Sequence, residues 1–346
     1  MLTVVRSPRA ALAALVTVTA LALSGCSSAE PETETSASAA AADAFPVTIT
    51  SALGDAVIPA APERVVTLGW SSQDAALALG VVPVAMPKNT YGGDADGFLP
   101  WDADKIKELG GTPPALLPEG TDVPFEEIVE AEPDVILAPY SGITQDDFDK
   151  LSKVAPVVAY PEKPWSLAWQ DQIEIVGKAL GRSGEAADLL AQTQASVKAL
   201  ADENPGLKDK TFFYAAANEA DLLNVYREND PRVGMLVDLG LTPAASVKDL
   251  DAKPTEGDFF YQLSYENVSK IETDLLVMYF ASQADVDKFV ADPVIAALPA
   301  IKEGRFAPIV GESFVMATSA PTVLSIPWML DQYVPQLAEV AAKAAE

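Results

Sequence analysis

Nucleophile–base catalysis and most protein metal sites call for side chains this sequence does not supply: its 346 residues include no His and a single Cys, Cys26. Imidazole is the usual base beside a Ser or Cys nucleophile, and imidazole and thiolate are the usual ligands of zinc, haem and copper. The run Gly69-Trp70-Ser71-Ser72-Gln73 lacks the second Gly of a nucleophile elbow. Neither a dinucleotide-binding nor a phosphate-binding Gly-rich motif is present. Acids are abundant, 50 Asp plus Glu against 23 Lys plus Arg, for a formal charge of -27. Adjacent pairs such as Glu126-Glu127 and Asp146-Asp147 resemble glycosidase carboxylates, yet so acidic a chain places such pairs on any solvated face. The sequence therefore reads against an enzyme. Its charge repels phosphate backbones and anionic lipid, which excludes nucleic acid as a partner. Oxygen ligation by Asp, Glu and Tyr leaves a bare ferric or manganese ion open as cargo.

The elements that must position such side chains begin after an address. Arg6 and Arg9 precede an apolar run from Ala10 to Leu23, then Leu23-Ser24-Gly25-Cys26. The run is too short for a membrane span and suits a signal peptide over 1–25. The last four residues resemble the lipobox of bacterial lipoproteins, in which the Cys becomes the acylated N-terminus. An ordinary secretory signal with an incidental Cys is the alternative. From Ser27 to Ala44 the chain is Ser, Ala, Glu, Thr and Pro with no large apolar residue, so 26–45 reads as a disordered tether.

From Val47 onward strand and helix patterns alternate, the signature of an α/β fold. An internal repeat divides it. Ala76–Ala85 matches Leu236–Ala245 at an offset of 160, sharing Leu-Gly-apolar-x-Pro. Phe125-Glu126-Glu127-Ile128-Val129 and Pro133-Asp134-Val135-Ile136-Leu137 match Tyr265-Glu266-Asn267-Val268-Ser269 and Thr273-Asp274-Leu275-Leu276-Val277 at an offset of 140. The blocks recur in one order, so the chain contains two lobes of similar topology, 46–165 and 207–346. Between them, 166–206 reads as a helical bridge. One helix opens at Trp165-Ser166 and ends near Leu180-Gly181. A second runs from Ser183 or Gly184 to Asn204-Pro205-Gly206.

The chain resembles the extracytoplasmic binding proteins of ABC importers for iron-siderophores, a family that also carries vitamin B12 and haem. The resemblance rests on Pro62–Trp70, Ala78–Val84, Glu126-x-Ile128 with Glu132-Pro133-Asp134, Asp230-Pro231-Arg232-Val233 with Leu239-Gly240-Leu241, and Ser325-Ile326-Pro327-Trp328 with Leu330-Asp331 and Val334-Pro335. It implies two similar α/β lobes joined by a rigid long helix. It also implies a monomeric, lipid-anchored protein on the extracytoplasmic face of the bacterial cell membrane, acylated at Cys26 with a palmitate-type chain, that passes a ferric siderophore to an ABC permease dimer. No cofactor is implied beyond ferric iron inside the cargo.

In such proteins cargo lies between the lobes over the C-terminal ends of strands, as the switch-point rule also expects. That places Trp70, Ser71, Tyr91, Trp101, Tyr140, Trp165, Tyr226, Arg227, Tyr279 and Phe280 in the cleft, the aromatics offering broad, stiff surfaces to a large chelate. Arg227 is the chief cation expected there. Arg232, near a helix start, reads instead as a packing or pairing residue. A cleft with so few cations suits a neutral or cationic ferric hydroxamate or mixed chelate better than an anionic tris-catecholate. The resemblance also makes Glu126 and Glu266, each following an aromatic at a helix start, the permease-docking acids. The remaining readings are B12 or haem as cargo, bare metal, and a surface adhesion lipoprotein with no cleft.

Overall fold

The computed structural model describes residues 43–118, 120, 122–255 and 258–344. The signal segment, Cys26 and the tether up to residue 42 lie outside the described residues. A small antiparallel ribbon comes first, β1 (Val47–Thr50) and β2 (Asp55–Ile58), each burying alternate residues. The Ser51 hydroxyl donates to Gly54 O at 2.7 Å and closes the turn between them.

The first lobe is a five-stranded, wholly parallel sheet of β3 (Val65–Thr67), β4 (Ala85–Pro87), β5 (Ala115–Leu117), β6 (Val135–Leu137) and β7 (Val157–Val158), in the order β5-β4-β3-β6-β7. Its central strands are buried on both faces, which is why Val-Val-Thr and Val-Ile-Leu are unbroken apolar runs and not alternating ones. Helices Ser72–Ala78, Pro100–Leu109, Phe125–Glu130 and Gln145–Leu151 make the crossovers. Thr144 and Asp147 form a reciprocal capping box on the last of these.

The second lobe contains β8 (Thr211–Glu219), β9 (Leu222–Tyr226), β10 (Thr242–Pro243), β11 (Phe260–Ser264), β12 (Leu275–Phe280) and β13 (Phe306–Val310), ordered β11-β9-β8-β12-β13 with β10 beside the start of β8. Strands β8, β12 and β13 are parallel; the hairpin β8–β9 and the β11 edge are antiparallel. The five-stranded sheet of the first lobe has no such antiparallel hairpin among the described residues.

Matching residues of the repeat make corresponding backbone bonds. Gly80 and Gly240 both adopt a left-handed φ, 79° and 94°, where a side chain would be strained. The following amides, Val81 and Leu241, reach back to Ala76 O and Leu236 O. Asp134 accepts from the Glu63 and Arg64 amides at 2.7 and 3.0 Å, and Asp274 accepts from the Thr211 amide at 2.8 Å. In each lobe this Asp opens one strand and satisfies the start of its neighbour.

The bridge is a pair of helices, Trp169–Ala179 and Ser183–Glu203. The first starts four residues later than the sequence suggests, because Trp165 has a φ of 57° and the chain stays extended until Ala168. Trp169–Ala179 packs on Ser72–Ala78 and β1, whereas Ser183–Glu203 packs on the helix Pro231–Asp238 and the last helix, Ser325–Lys343. One buried cluster accordingly runs from Val47 and Val65 through Ile173 and Val176 to Leu236 and Leu337, joining both lobes in a single core. Among the described residues no helix is long and apolar enough to cross a membrane.

Candidate functional site

A cavity of about 250 Å³ opens between the lobes, lined by Trp70, Tyr140 and Trp165 on one side and Arg232 and Phe259 on the other. Trp70 follows β3, and Tyr140 follows β6, at adjacent C-terminal strand ends, as the switch-point rule requires. The two loops are laced together: the Trp70 amide donates to Tyr140 O at 3.0 Å, and Gly69 approaches that carbonyl so closely that a Cβ would collide with it.

The walls are stiff. Trp165 meets Trp70 with ring centroids 5.9 Å apart and Tyr140 at 5.7 Å, both edge to face. A Cβ on Gly142 would lie 2.6 Å from the Trp165 ring nitrogen, so Gly142 makes room for the indole. Ser71 and Trp165 both hold left-handed φ values, 60° and 57°, a strain of about 1 kcal/mol or more each that packing must offset. Trp70 remains 41% exposed, an apolar surface presented to the cleft. Trp165 also lines two adjoining hollows, one with Gly142 and Ile143 and one with Phe259, Phe260 and Gln262.

Arg232 forms the opposite wall. Asp230 caps its helix by accepting from the Arg232 amide at 2.8 Å and pairs with the guanidinium at 2.9 Å. The guanidinium lies over the Tyr226 ring at 4.5 Å and near that of Tyr279 at 5.9 Å. Burial works against its charge, but the Asp230 carboxylate beside it holds it firmly protonated. Its Nε is buried with no hydrogen-bond partner among the described residues. Burial also pushes the Tyr140 and Tyr226 hydroxyls well above the ordinary tyrosine range, so both stay neutral donors.

The remaining expected residues divide. Tyr226 donates to or accepts from Tyr279 at 2.9 Å, and Asn218 donates to Tyr279 at 3.0 Å, so Tyr226 sits behind the wall as support for Arg232. Tyr91 and Tyr279 line a neighbouring hollow of about 620 Å³ together with Phe280, whose ring is chiefly packed on Phe289 and Phe306. Ser71 is buried, its hydroxyl directed to Ala320 O at 3.4 Å.

Two expectations differ from the structure. Trp101 is 4% exposed and lies in the core, donating to Asp74 at 2.7 Å and stacked on Trp328 at 5.2 Å; it starts a helix whose first turn faces inward. Arg227 is occupied elsewhere, with bidentate bonds to Asp251 at 2.8 and 3.2 Å and a further bond to Asp258 O, because it follows directly on β9 and turns to the sheet edge. The cation of the cavity is Arg232. Sequence reasoning also passed over Phe259, which precedes β11 and carries no periodic signal. The signal for Arg232 was legible: Asp-Pro-Arg places an Arg in the first turn of a helix beside its own counter-ion.

Glu126 and Glu266 are both exposed and occupy the same place in the two lobes, second residue of a short helix led by Phe125 or Tyr265.

The family model for periplasmic binding proteins matches residues 65–309. A curated relative, the ferric enterobactin-binding periplasmic protein FepB of Escherichia coli O6:H1, is 26% identical over 285 residues, covering 78% of this chain and 86% of the relative. The probable siderophore-binding lipoprotein YfiY of Bacillus subtilis is 27% identical over 243 residues, covering 69% and 70%. Among solved structures, PiaA of Streptococcus pneumoniae TIGR4 in complex with ferrichrome superposes with a TM-score of 0.78 at 36% identity, over 86% of this chain and 99% of that one.

Proposed function

We infer function from kinship and cleft together: the chain belongs to the periplasmic binding protein family, and its inter-lobe cavity is the place where a cargo would sit. The reading is an extracytoplasmic binding protein that captures a ferric siderophore and delivers it to an ABC importer permease. The observation that carries it is the wall itself: three large aromatics facing one Arg across the cavity. Such a surface recognises the outside of a chelate, apolar faces by the rings and a ligand oxygen by the guanidinium. It is a poor competitor for the iron inside, which favours intact chelate over bare metal. The similarity to the ferrichrome-bound PiaA and to siderophore-binding relatives supports the same cargo class.

Within that class we favour a neutral ferric hydroxamate. The single cavity guanidinium is already half-neutralised by Asp230, and Arg227 is consumed by Asp251, which leaves little to balance a multiply anionic tris-catecholate. Delivery would use Glu126 and Glu266 against cations on a permease, one lobe to each half. A lipid anchor at Cys26 would keep the protein at the membrane, and no catalytic step is assigned to any residue.

The test is a tryptophan-fluorescence titration with ferrichrome, ferrioxamine B and ferric enterobactin, since Trp70 and Trp165 line the cavity. Saturable quenching by a hydroxamate is expected. Quenching by enterobactin alone would overturn the hydroxamate assignment, and quenching by none of the three would overturn the cargo class.

A further inference from the structure

Directly after the cavity residue Trp70, the chain enters a helix whose third residue is Asp74, and both Asp74 and Asp102 are 0% exposed. Asp74 accepts from the Trp101 indole and from the Thr322 hydroxyl, each at 2.7 Å, through one oxygen. Asp102 accepts from the Gln73 amide at 3.0 Å, also through one oxygen. The second oxygen of each carboxyl is buried with no donor among the described residues. Two unpaired buried carboxylates in mutual contact would be prohibitively costly, and a proton on one supplies the donor that the other lacks.

Thr322 lies beyond the second sheet. It is the pivot of the last helix, accepting from the Leu324 and Ser325 amides, while two residues earlier Ala320 O receives the Ser71 hydroxyl. The acid pair therefore fastens the Trp70–Ser71 wall to the segment that crosses from the other lobe. We propose that Asp74 and Asp102 share one proton, and that the protonated pair is a positioning device which keeps the Trp70 wall in register with Arg232, so that cargo is held less tightly once that proton is lost.

Burial is the main influence on both groups. It raises Asp74 from 3.8 to about 6, and it lifts Asp102 further with the help of the Asp74 charge. The Asp74 charge works against a second charge beside it and raises Asp102, which makes Asp102 the proton carrier. The groups facing the pair are Trp101 and Gln73 from the two first-lobe helices and Thr322 from the crossing segment, none of them charged. Of the other charged residues of the helix Pro100–Leu109, Asp104, Lys107 and Glu108 are exposed, and the half-buried Lys105 is paired with Glu108 at 2.9 Å. Asp331 on the last helix is exposed as well. A folded-state value above the ordinary carboxyl value means the folded protein keeps a proton that the unfolded chain releases. The stabilisation is thus complete at acid pH and is lost as pH rises through the raised values.

This inference rests on the cargo reading for one arm only. Ferrichrome affinity and off-rate would be followed from about pH 5 to about pH 9 alongside the thermal midpoint of ligand-free protein, for the wild type, Asp102→Asn and Thr322→Val. Asn keeps a donor toward Asp74 but cannot titrate. The wild type should lose about tenfold in affinity across the range, an ordinary coupling between sites, and should lose thermal stability in parallel. Asp102→Asn should be flat in both readouts. Thr322→Val should keep the thermal slope while its cargo affinity no longer follows pH. A wild-type thermal midpoint that does not fall, or a slope retained in Asp102→Asn, would overturn the shared proton. A cargo profile in Thr322→Val that still follows pH would overturn the positioning role. Failure of ferrichrome to bind at any pH would count against the cargo reading instead, and the ligand-free profile would still decide the proton.

Discussion

Replacing Arg232 should separate two roles that one guanidinium performs, and the structure sets the size of each. Asp230 and Arg232 are 2% and 9% exposed and 2.9 Å apart, so Arg232→Met leaves a buried carboxylate whose only bond among the described residues is to the residue 232 amide. Breaking a buried pair from one side costs about 3–5 kcal/mol, and losing the stack on Tyr226 adds about 1 kcal/mol. Adding Asp230→Asn removes the stranded charge and keeps an oxygen for the helix cap, so the double variant should recover most of that stability. Cargo affinity should not recover. A guanidinium N–H at the cavity wall is a charge-assisted donor worth about 1.5–3 kcal/mol to a ligand oxygen, roughly tenfold to somewhat over a hundredfold in Kd. Denaturant unfolding reads the first effect, and tryptophan quenching by ferrichrome reads the second. A double variant that binds ferrichrome as the wild type does would refute the reasoning, because Arg232 would then serve only to neutralise Asp230.

Trp165→Ala should weaken ferrichrome binding by about 1–3 kcal/mol, since the indole organises three hollows at once, whereas Trp101→Phe should cost about 1.5–3 kcal/mol of stability and leave affinity within a few-fold. Calorimetric titration beside thermal unfolding distinguishes them, and a reversed pattern would return Trp101 to the cleft. Glu126→Ala and Glu266→Ala should leave cargo affinity unchanged and each reduce uptake of labelled ferrichrome by whole cells, the double change more than either; unimpaired uptake by the double variant would end the docking assignment. Cys26→Ser should release the protein from the membrane fraction, and full retention there would contradict acylation at that residue.

The repeat was the most legible part of the sequence because its residues act through the backbone. A Gly that takes a left-handed turn and an Asp that satisfies a neighbouring strand leave their names at fixed offsets, and the bonds at Gly80, Gly240, Asp134 and Asp274 are those the matching blocks require. Cleft aromatics at strand ends, Trp70 and Tyr140, were legible for the same topological reason. Trp101 was not, since nothing local tells an indole that turns into the core from one that turns into a cleft; its partner Asp74 is 27 positions away. Arg227 and Arg232 exchanged places because pairing decides which cation is spent. The partner of Arg227 is Asp251, brought in by the β9–β11 edge, which no short-range pattern announces.

The lobes are tied at more than the helical bridge, and this bears on how far they can move. Ser313 donates to Gly92 O at 2.6 Å, Ser71 reaches Ala320 and Asp74 holds Thr322, attachments spread along one segment from the end of β13 to the start of the last helix. The first holds the loop of Tyr91, the second and third the loop of Trp70. A bridge helix alone resists bending but leaves the far side of the cleft free to open; a second crossing on the cargo side removes that freedom. Large closure would break a buried carboxyl bond and strip Ser71 of its partner, at about 1–3 kcal/mol for each polar group left unpaired. Capture and release are then best served by side-chain and loop adjustments around Trp70, Tyr91 and Trp165, and a fastening that weakens when one buried proton leaves would loosen the wall without moving the lobes apart.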